Sequence, residues 1–409
     1  MNTIERFLKY ISIPTNSDSK SKKTPSTDAQ KVMAELLVNE LIEIGIDYID
    51  YDQENCYIYA CIKGKQELPK VGFLAHMDTC EDAKGDNINP QIIHNYKGNE
   101  IEFPNGLKLS PKDYPDLLKH INKSLIVTDG TTLLGADDKA GIAEIMGMLE
   151  YYKNTNTNHG DIYVCFTPDE EIGLGLKNFD KTKFPVDFAF TVDGSTVGEI
   201  SYENFNAATA TITINGFNTH TGYAKNKMVN ALLIATKINE LLPDETPENT
   251  EGYEGFYHLD AIEGNTEKAT MKYLIRDFDR KNFEYRKLKL RTIISKINQK
   301  YPGCASICIS NTYFNMKYYL PSNYNINTVL RAAFKLGINS KIVPARGGTD
   351  GADLTYMGIP CPNIGTGGHN FHSVYEYIAI EDMLKAQDLL IGIVREYAKE
   401  DILKLNKHI

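Results

Sequence analysis

Seven cysteines are spread along the chain, an odd number, and no two of them stand as a Cys-x-x-Cys pair. Cys61 and Cys165 lie inside apolar runs and read as reduced core residues. No apolar run approaches the ~18 residues that a membrane span needs. The opening stretch "MNTIERFLKYISI" spaces Ile4, Phe7, Leu8 and Ile11 along one helical face and does not gather them into the apolar block of a signal peptide. Basic charge is scarce: 44 Lys and Arg against 54 Asp and Glu leave a formal net charge of −10. That balance argues against a nucleic-acid or anionic-membrane surface. The one lysine-rich stretch, "SDSKSKKTPSTDAQ", reads as a solvated loop before a helix capped near Ser26 or Thr27. Internal repeats and low-complexity segments are missing too. These absences lead to the expectation of a soluble cytoplasmic protein with no nucleic-acid or membrane partner.

What is present is an ordinary globular composition, 42% hydrophobic and 24% charged, over 409 residues. That length exceeds what one core usually accommodates, so two domains are expected. In the first half, short apolar strands such as "KVGFLAHMD", "GDIYVCFTP" and "DFAFTVDG" alternate with helices such as "AQKVMAELLVNELIEIG". This is the pattern of a covered α/β sheet. Residues 81–123 are polar and rich in Asn, Pro and Lys, and read as an insertion on the sheet's rim. From Asn206 the order becomes βαββαβ, the ferredoxin-like split motif. The α/β pattern then resumes and closes with the helix "MLKAQDLLIGIVREYAKE". The expected architecture is an α/β mixed-sheet domain with helices on both faces, residues 1–205 and 317–409, plus an inserted ferredoxin-like α+β domain, residues 206–316.

Acidic and histidine residues gather where the strands end. "CFTPDEEIGLG" sets Glu170 beside Glu171 directly after an apolar strand, and two adjacent like charges there repel and resist desolvation. One reading makes them the acidic first turn of a helix. The other puts something strongly positive between them. "FLAHMDT" supplies His76 and Asp78, two apart and so on one side of the strand. "LLGADDKAG" supplies Asp137 and Asp138, "FTVDG" Asp193, and "GGHNFHSVYE" His369, His372 and Glu376. Each alone reads equally well as a rim residue or a turn. Together they converge on the edge of an open α/β sheet where ligands bind. Imidazole nitrogens with carboxylate oxygens and no thiolate suit zinc, or cobalt and manganese as substitutes. A shared carboxylate could bridge two ions ~3.5–4 Å apart. One glutamate of the pair would then ligate metal and its neighbour would take a proton from the attacking water.

Long blocks across the whole chain, including "DGTTLLGADDKAGIAEIM", "TVDGSTVGEISYENFNAA" and "ARGGTDGADLTYMGIPCPNIGTGGHNFHSVYEYI", resemble the tripeptide aminopeptidases of the di-zinc peptidase superfamily. That superfamily also holds glutamate carboxypeptidases and succinyl-diaminopimelate desuccinylases. The resemblance implies two Zn2+ per subunit, with Asp137 as bridging ligand, His76 and Asp193 completing one site, and Glu171 and His372 the other. It implies Glu170 as general base and Asp78 behind His76, bonded to its ring. Asp138 is a weaker candidate for a ligand than Asp137; the resemblance implies a cis Asp–Asp peptide there, and the alternative is a helix N-cap. Arg346 resembles the family's anchor for the substrate carboxylate, and His220 the inserted-domain histidine that approaches the scissile carbonyl. After that histidine the family commonly has proline, and this chain has Thr221. The resemblance further implies a homodimer paired through the inserted domain's exposed edge, in which His220 reaches the partner's site and residues 206–316 act as lid and dimerisation domain; the alternative is a monomer in which His220 packs in its own domain. The expected activity is removal of the N-terminal residue from small peptides, tripeptides above all. Alternatives are an N-acyl amino acid deacylase or dipeptidase of the same superfamily, or a catalytically silent metal-binding protein. His94, His120, His159, His258 and His408 are expected at surface or packing positions.

Overall fold

In the computed structural model, which describes residues 1–320 and 322–399, the apolar runs of the first half become strands of one eight-stranded sheet. Across it the order is Tyr48–Asp52, Tyr57–Ile62, Ile162–Thr167, Val71–His76, Phe188–Gly194, Asn363–Gly365, Glu199–Ser201 and Lys341–Ile342. The four from Ile162–Thr167 to Asn363–Gly365 are mutually parallel, and both their outer neighbours run antiparallel to them. Ile162–Thr167 and Val71–His76 are buried along their whole length. That is why they read as continuous apolar runs and not as alternating ones.

Alternate side chains of these strands feed two cores. Phe73, Ala75, Val164 and Phe166 join Phe7, Leu37, Ile142 and Leu389 from the helices Thr3–Ile11, Ala29–Ile44, Ala136–Asn154 and Ile380–Tyr397. Leu74, Tyr163, Cys165 and Ala189 face the other way and join Phe184 and Leu354, the latter from the helix Asp350–Tyr356. The sheet is therefore covered on both faces, as its patterning requires. No helix among the described residues is long and apolar enough to cross a membrane. All seven cysteines are free, and six are buried.

Residues 81–123 are more than a polar rim insertion. Their strand Gln91–Ile93 pairs with Leu125–Val127 in a second sheet, ordered Gly368–His369, Tyr377–Ala379, Leu125–Val127, Gln91–Ile93. Tyr96, Phe103, Leu109 and Leu117 form a small core with Val127 and Tyr377. The helix Ala29–Ile44 also departs from expectation. Its N-cap is Asp28, with no side-chain capping bond. Ser26 is drawn elsewhere, its Oγ donating to Asp169 Oδ1 at 2.5 Å.

Contacts divide the chain into two units: Met1–Tyr202 with Tyr319–Val343 and the chain from Thr349 onward, and Glu203–Tyr318 with Pro344–Gly348. The second unit holds an antiparallel sheet ordered Phe256–Gly264, Lys268–Asp277, Asn206–Asn215, Ala305–Tyr313. Helices Ala231–Glu240 and Arg280–Lys300 contribute Ile234, Ile238, Phe283, Leu290 and Ile294 to the core beneath it. This is the ferredoxin-like arrangement. Pro344–Gly348 returns to this unit through the Ala345 N–H, which donates to the Glu203 carbonyl at 2.8 Å.

Candidate metal centre

Because the central strands are parallel, their C-terminal ends lie on one edge, with His76 in register opposite Thr167. His76 Nδ1 is 3.0 Å from the Asp78 carbonyl oxygen. A carbonyl only accepts, so Nδ1 carries the proton and the Nε2 lone pair is left for another partner. That Nε2 stands 3.0 Å from Asp137 Oδ1 and 3.5 Å from Asp193 Oδ1. His372 Nε2 lies 3.4 Å from the other Asp137 oxygen and 2.9 Å from Glu171 Oε2. Asp137 thus offers one oxygen to each histidine.

Other side chains fix these donors. The Glu376 carboxylate accepts the backbone N–H groups of Leu134, Gly135 and Asp137 at 2.6, 2.8 and 3.1 Å, and so holds the turn that carries Asp137. Asp82 Oδ2 is 3.0 Å from His372 Nδ1 and orients that ring. Asp169, at a left-handed φ of 56°, accepts Ser26 N–H and Gln30 Nε2–H and shapes the turn into the glutamate pair. The pair itself sits in a three-residue 3-10 turn, Glu170–Ile172, and so does not open a longer helix.

Asp78 stands behind His76 and has a further task. Its carboxylate is 3.4 Å from His76 Nδ1, farther than its own carbonyl. The carboxylate oxygens also accept the N–H groups of Glu170 at 3.0 Å and Glu171 at 3.1 Å. Asp138 does not cap the next helix. Its Oδ2 accepts the His76 N–H at 3.3 Å, and the Asp137–Asp138 peptide is cis. His369 stays out of the cluster. It is buried, stacked on Tyr377 and edge-on to His120, whose Nδ1 meets Asp382.

The electrostatics call for a cation. Burial would lower His76, but Asp193, Asp137 and Asp78 outweigh it and raise its pKa well above the ordinary value. Hydrogen bonds to Asp137 and Glu171 push His372 up to about 12. Burial, and then the charge of Asp137, pushes Asp193 up to about 7. Burial first, then Asp193, Asp350 and Glu171, raises Glu170 well above the carboxylate range, against the pull of His76. Without a metal these groups must therefore retain protons to offset one another. A divalent ion does the same job and displaces them. Glu171 Oε1 is buried with no hydrogen-bond partner. One donor atom each from His76, Asp137 and Glu171, and likewise from His76, Asp138 and Asp193, lie within 4.8 Å of one another. The nitrogen and oxygen donors fit zinc, cobalt or manganese.

Two candidates belong to the second unit. His220 is exposed, and its Nδ1 accepts the Gly222 N–H at 3.2 Å, so the neutral ring carries its proton on Nε2. Arg346 donates from Nη1 to the carbonyls of Gly252 and Glu254 at 2.9 and 3.0 Å. From Nη2 it donates to Thr250 O and Oγ1 at 3.2 and 3.0 Å. Its guanidinium also lies over the rings of Phe205 and Phe256. A bidentate grip on a carboxylate requires that these carbonyls be exchanged for the ligand.

The chain is similar to known proteins over nearly its whole length. Residues 128–396 match the model of peptidase family M20/M25/M40. Peptidase T of Clostridium perfringens (strain 13) is 47% identical over 402 residues, covering 97% of this chain and 99% of that protein. Peptidase T of Geobacillus sp. (strain WCH70) is 48% identical over 405 residues, covering 97% and 98%. Among solved structures, aminopeptidase PepT from Bacillus cereus superposes with a TM-score of 0.77 at 22% identity, covering 97% of this chain and 98% of that one. A tripeptidase from Staphylococcus aureus gives a TM-score of 0.78 at 21% identity, covering 98% of each chain. With its parallel strand ends carrying this donor set and its near-full-length similarity to the peptidase T proteins, the chain belongs to peptidase family M20/M25/M40.

Proposed function

We propose that this protein is a cytoplasmic metallo-aminopeptidase that hydrolyses the N-terminal peptide bond of tripeptides. The observation that carries the reading is the convergence of His76, Asp137, Asp193, Glu171 and His372, with Glu170 beside them on the same turn. The similarity to proteins called peptidase T supports the substrate class. We propose two Zn2+ per subunit, with Co2+ or Mn2+ as substitutes: Asp137 is shared, His76 and Asp193 belong to one position, and Glu171 and His372 to the other. Bound ions of this kind supply Lewis-acid polarisation of the carbonyl and a more acidic water.

The protein's own groups do the rest. Glu170, held through its backbone by Asp78, takes the proton of the attacking water and returns it to the leaving amine nitrogen. His220, protonated on Nε2 in its neutral form, donates to the oxyanion. Arg346 receives the substrate carboxylate once its carbonyl partners give way. In this reading residues 1–205 and 317–409 form the catalytic domain, and 206–316 the lid and dimerisation domain of a homodimer. The test is turnover of a tripeptide, its N-acetylated form and a dipeptide, before and after chelation and after zinc is restored. The reading requires the free tripeptide to be cleaved best and only with metal present. Faster cleavage of the N-acetylated peptide would make the protein a deacylase, and full activity after verified metal removal would sink the mechanism.

A further inference from the structure

We infer that Cys80 supplies a sulfur ligand to the metal position formed by Glu171 and His372. This rests on the reading of those two residues as ligands and extends it to a donor type absent from the other position. One donor atom each from Cys80, Glu171 and His372 lie within 4.8 Å of one another. Bonds of ~2.0–2.3 Å at tetrahedral angles place donors around a single ion ~3.3–3.8 Å apart, so drawing inward by about 1 Å closes the set. Glu171 contributes a second, independent sign, since its Oε1 is buried with no hydrogen-bond partner and is left for a cation.

The cysteine is also held in place. It is 4% exposed. Asn16 Nδ2–H donates to the Cys80 carbonyl at 2.7 Å, and the preceding Thr79 N–H donates to Thr15 O at 3.2 Å. The backbone N–H groups of Asp82 and Ala83 point to the sulfur and fix its position. Asp82 in turn orients the His372 ring. The short segment from Cys80 to Ala83 therefore serves one metal position twice, with a ligand and with the group that aims another. None of the seven cysteines is in a disulfide, so this thiol is available. Coordination breaks the S–H bond, forms an S–metal bond and releases the proton to solvent. Sulfur makes this position softer than its neighbour, so it favours Zn2+ or Cd2+ over Mn2+.

X-ray absorption at the zinc edge tests the assignment on the zinc-loaded enzyme. Cys308→Ser serves as the background, which removes the exposed thiol. The expected spectrum has one sulfur for every two zincs at ~2.3 Å, distinct from nitrogen and oxygen at ~2.0–2.2 Å. Cys80→Ser should lose that shell and release one of the two ions to a chelator at least ~10-fold more readily, with the other ion retained. In the cobalt-substituted enzyme, the near-ultraviolet sulfur-to-cobalt band should vanish in Cys80→Ser and Cys80→Ala alike. An enzyme that holds two zincs and cleaves tripeptide with only nitrogen and oxygen shells overturns the sulfur ligand and leaves the peptidase reading standing. Failure to bind zinc at all would overturn both.

Discussion

Replacing Asp78 with asparagine separates two accounts of what holds the centre together. If the carboxylate served mainly to fix the His76 tautomer, its loss would loosen that ring and release metal. The distances put most of that work on the backbone: the Asp78 carbonyl, which the substitution leaves in place, is the 3.0 Å partner of His76 Nδ1, with the carboxylate behind it at 3.4 Å. What the carboxylate does hold is the N–H of Glu170 and the N–H of Glu171. Asparagine keeps one acceptor oxygen and turns an amide N–H₂ toward the other donor. One charge-assisted hydrogen bond is lost, about 1.5–3 kcal/mol. If that loss appears in the positioning of the glutamates, kcat for a tripeptide falls about 10- to 150-fold, at ~1.4 kcal/mol per decade. Steady-state kinetics, elemental analysis and thermal unfolding of the same preparations check this. The expected variant keeps two metals and loses kcat. A variant that keeps wild-type kcat, or one that drops the ion held by His76, would refute the reasoning.

Glu170→Gln should keep both metals and lose ~10²–10⁴-fold in kcat, whereas Glu171→Gln should lose one metal; equal metal loss in the two variants would end the division of roles. His220→Ala and Glu170→Ala, each nearly inactive, should recover about a quarter of wild-type activity after subunit exchange if His220 serves the partner's site. A mixture that stays inactive despite proven exchange would assign His220 to its own chain. Burial and the neighbouring His120 depress His369 from 6.5 to about 4, so folding favours its neutral form. The stability this contributes is full above pH 6.5 and is lost as pH falls toward about 4. The slope of melting temperature against pH over that window should flatten in His369→Gln, and parallel slopes would contradict it.

The strand ends were the most legible part of the chain. His76, Asp193 and the residues after Thr167 follow uninterrupted apolar runs, and burial on both faces is what makes such runs. The supports were not legible. Glu376 grips the turn before Asp137 through backbone N–H groups some 240 positions away, and backbone donors leave no trace in residue identity. Asp169 and Ser26 were hidden by distance along the chain, since a side-chain bond across 143 positions draws the expected capping residue away from its helix. Residues 81–123 looked polar because Tyr96, Phe103, Leu109 and Leu117 are spaced too irregularly to show a period, yet they share a core.

The strand Asn363–Gly365 lies between Phe188–Gly194 and Glu199–Ser201, two strands translated long before it. The place between them can be filled only once the last ninth or so of the polypeptide, from Asn363 on, has emerged. His372 comes only a few residues after that strand, so filling that place and delivering the final histidine of the centre are nearly one event. In the proposed two-metal reading, capture of the second ion would therefore report completion of the sheet. Such late, long-range closure is slow by its topology and leaves the nascent protein dependent on whatever shields the incomplete sheet in the meantime.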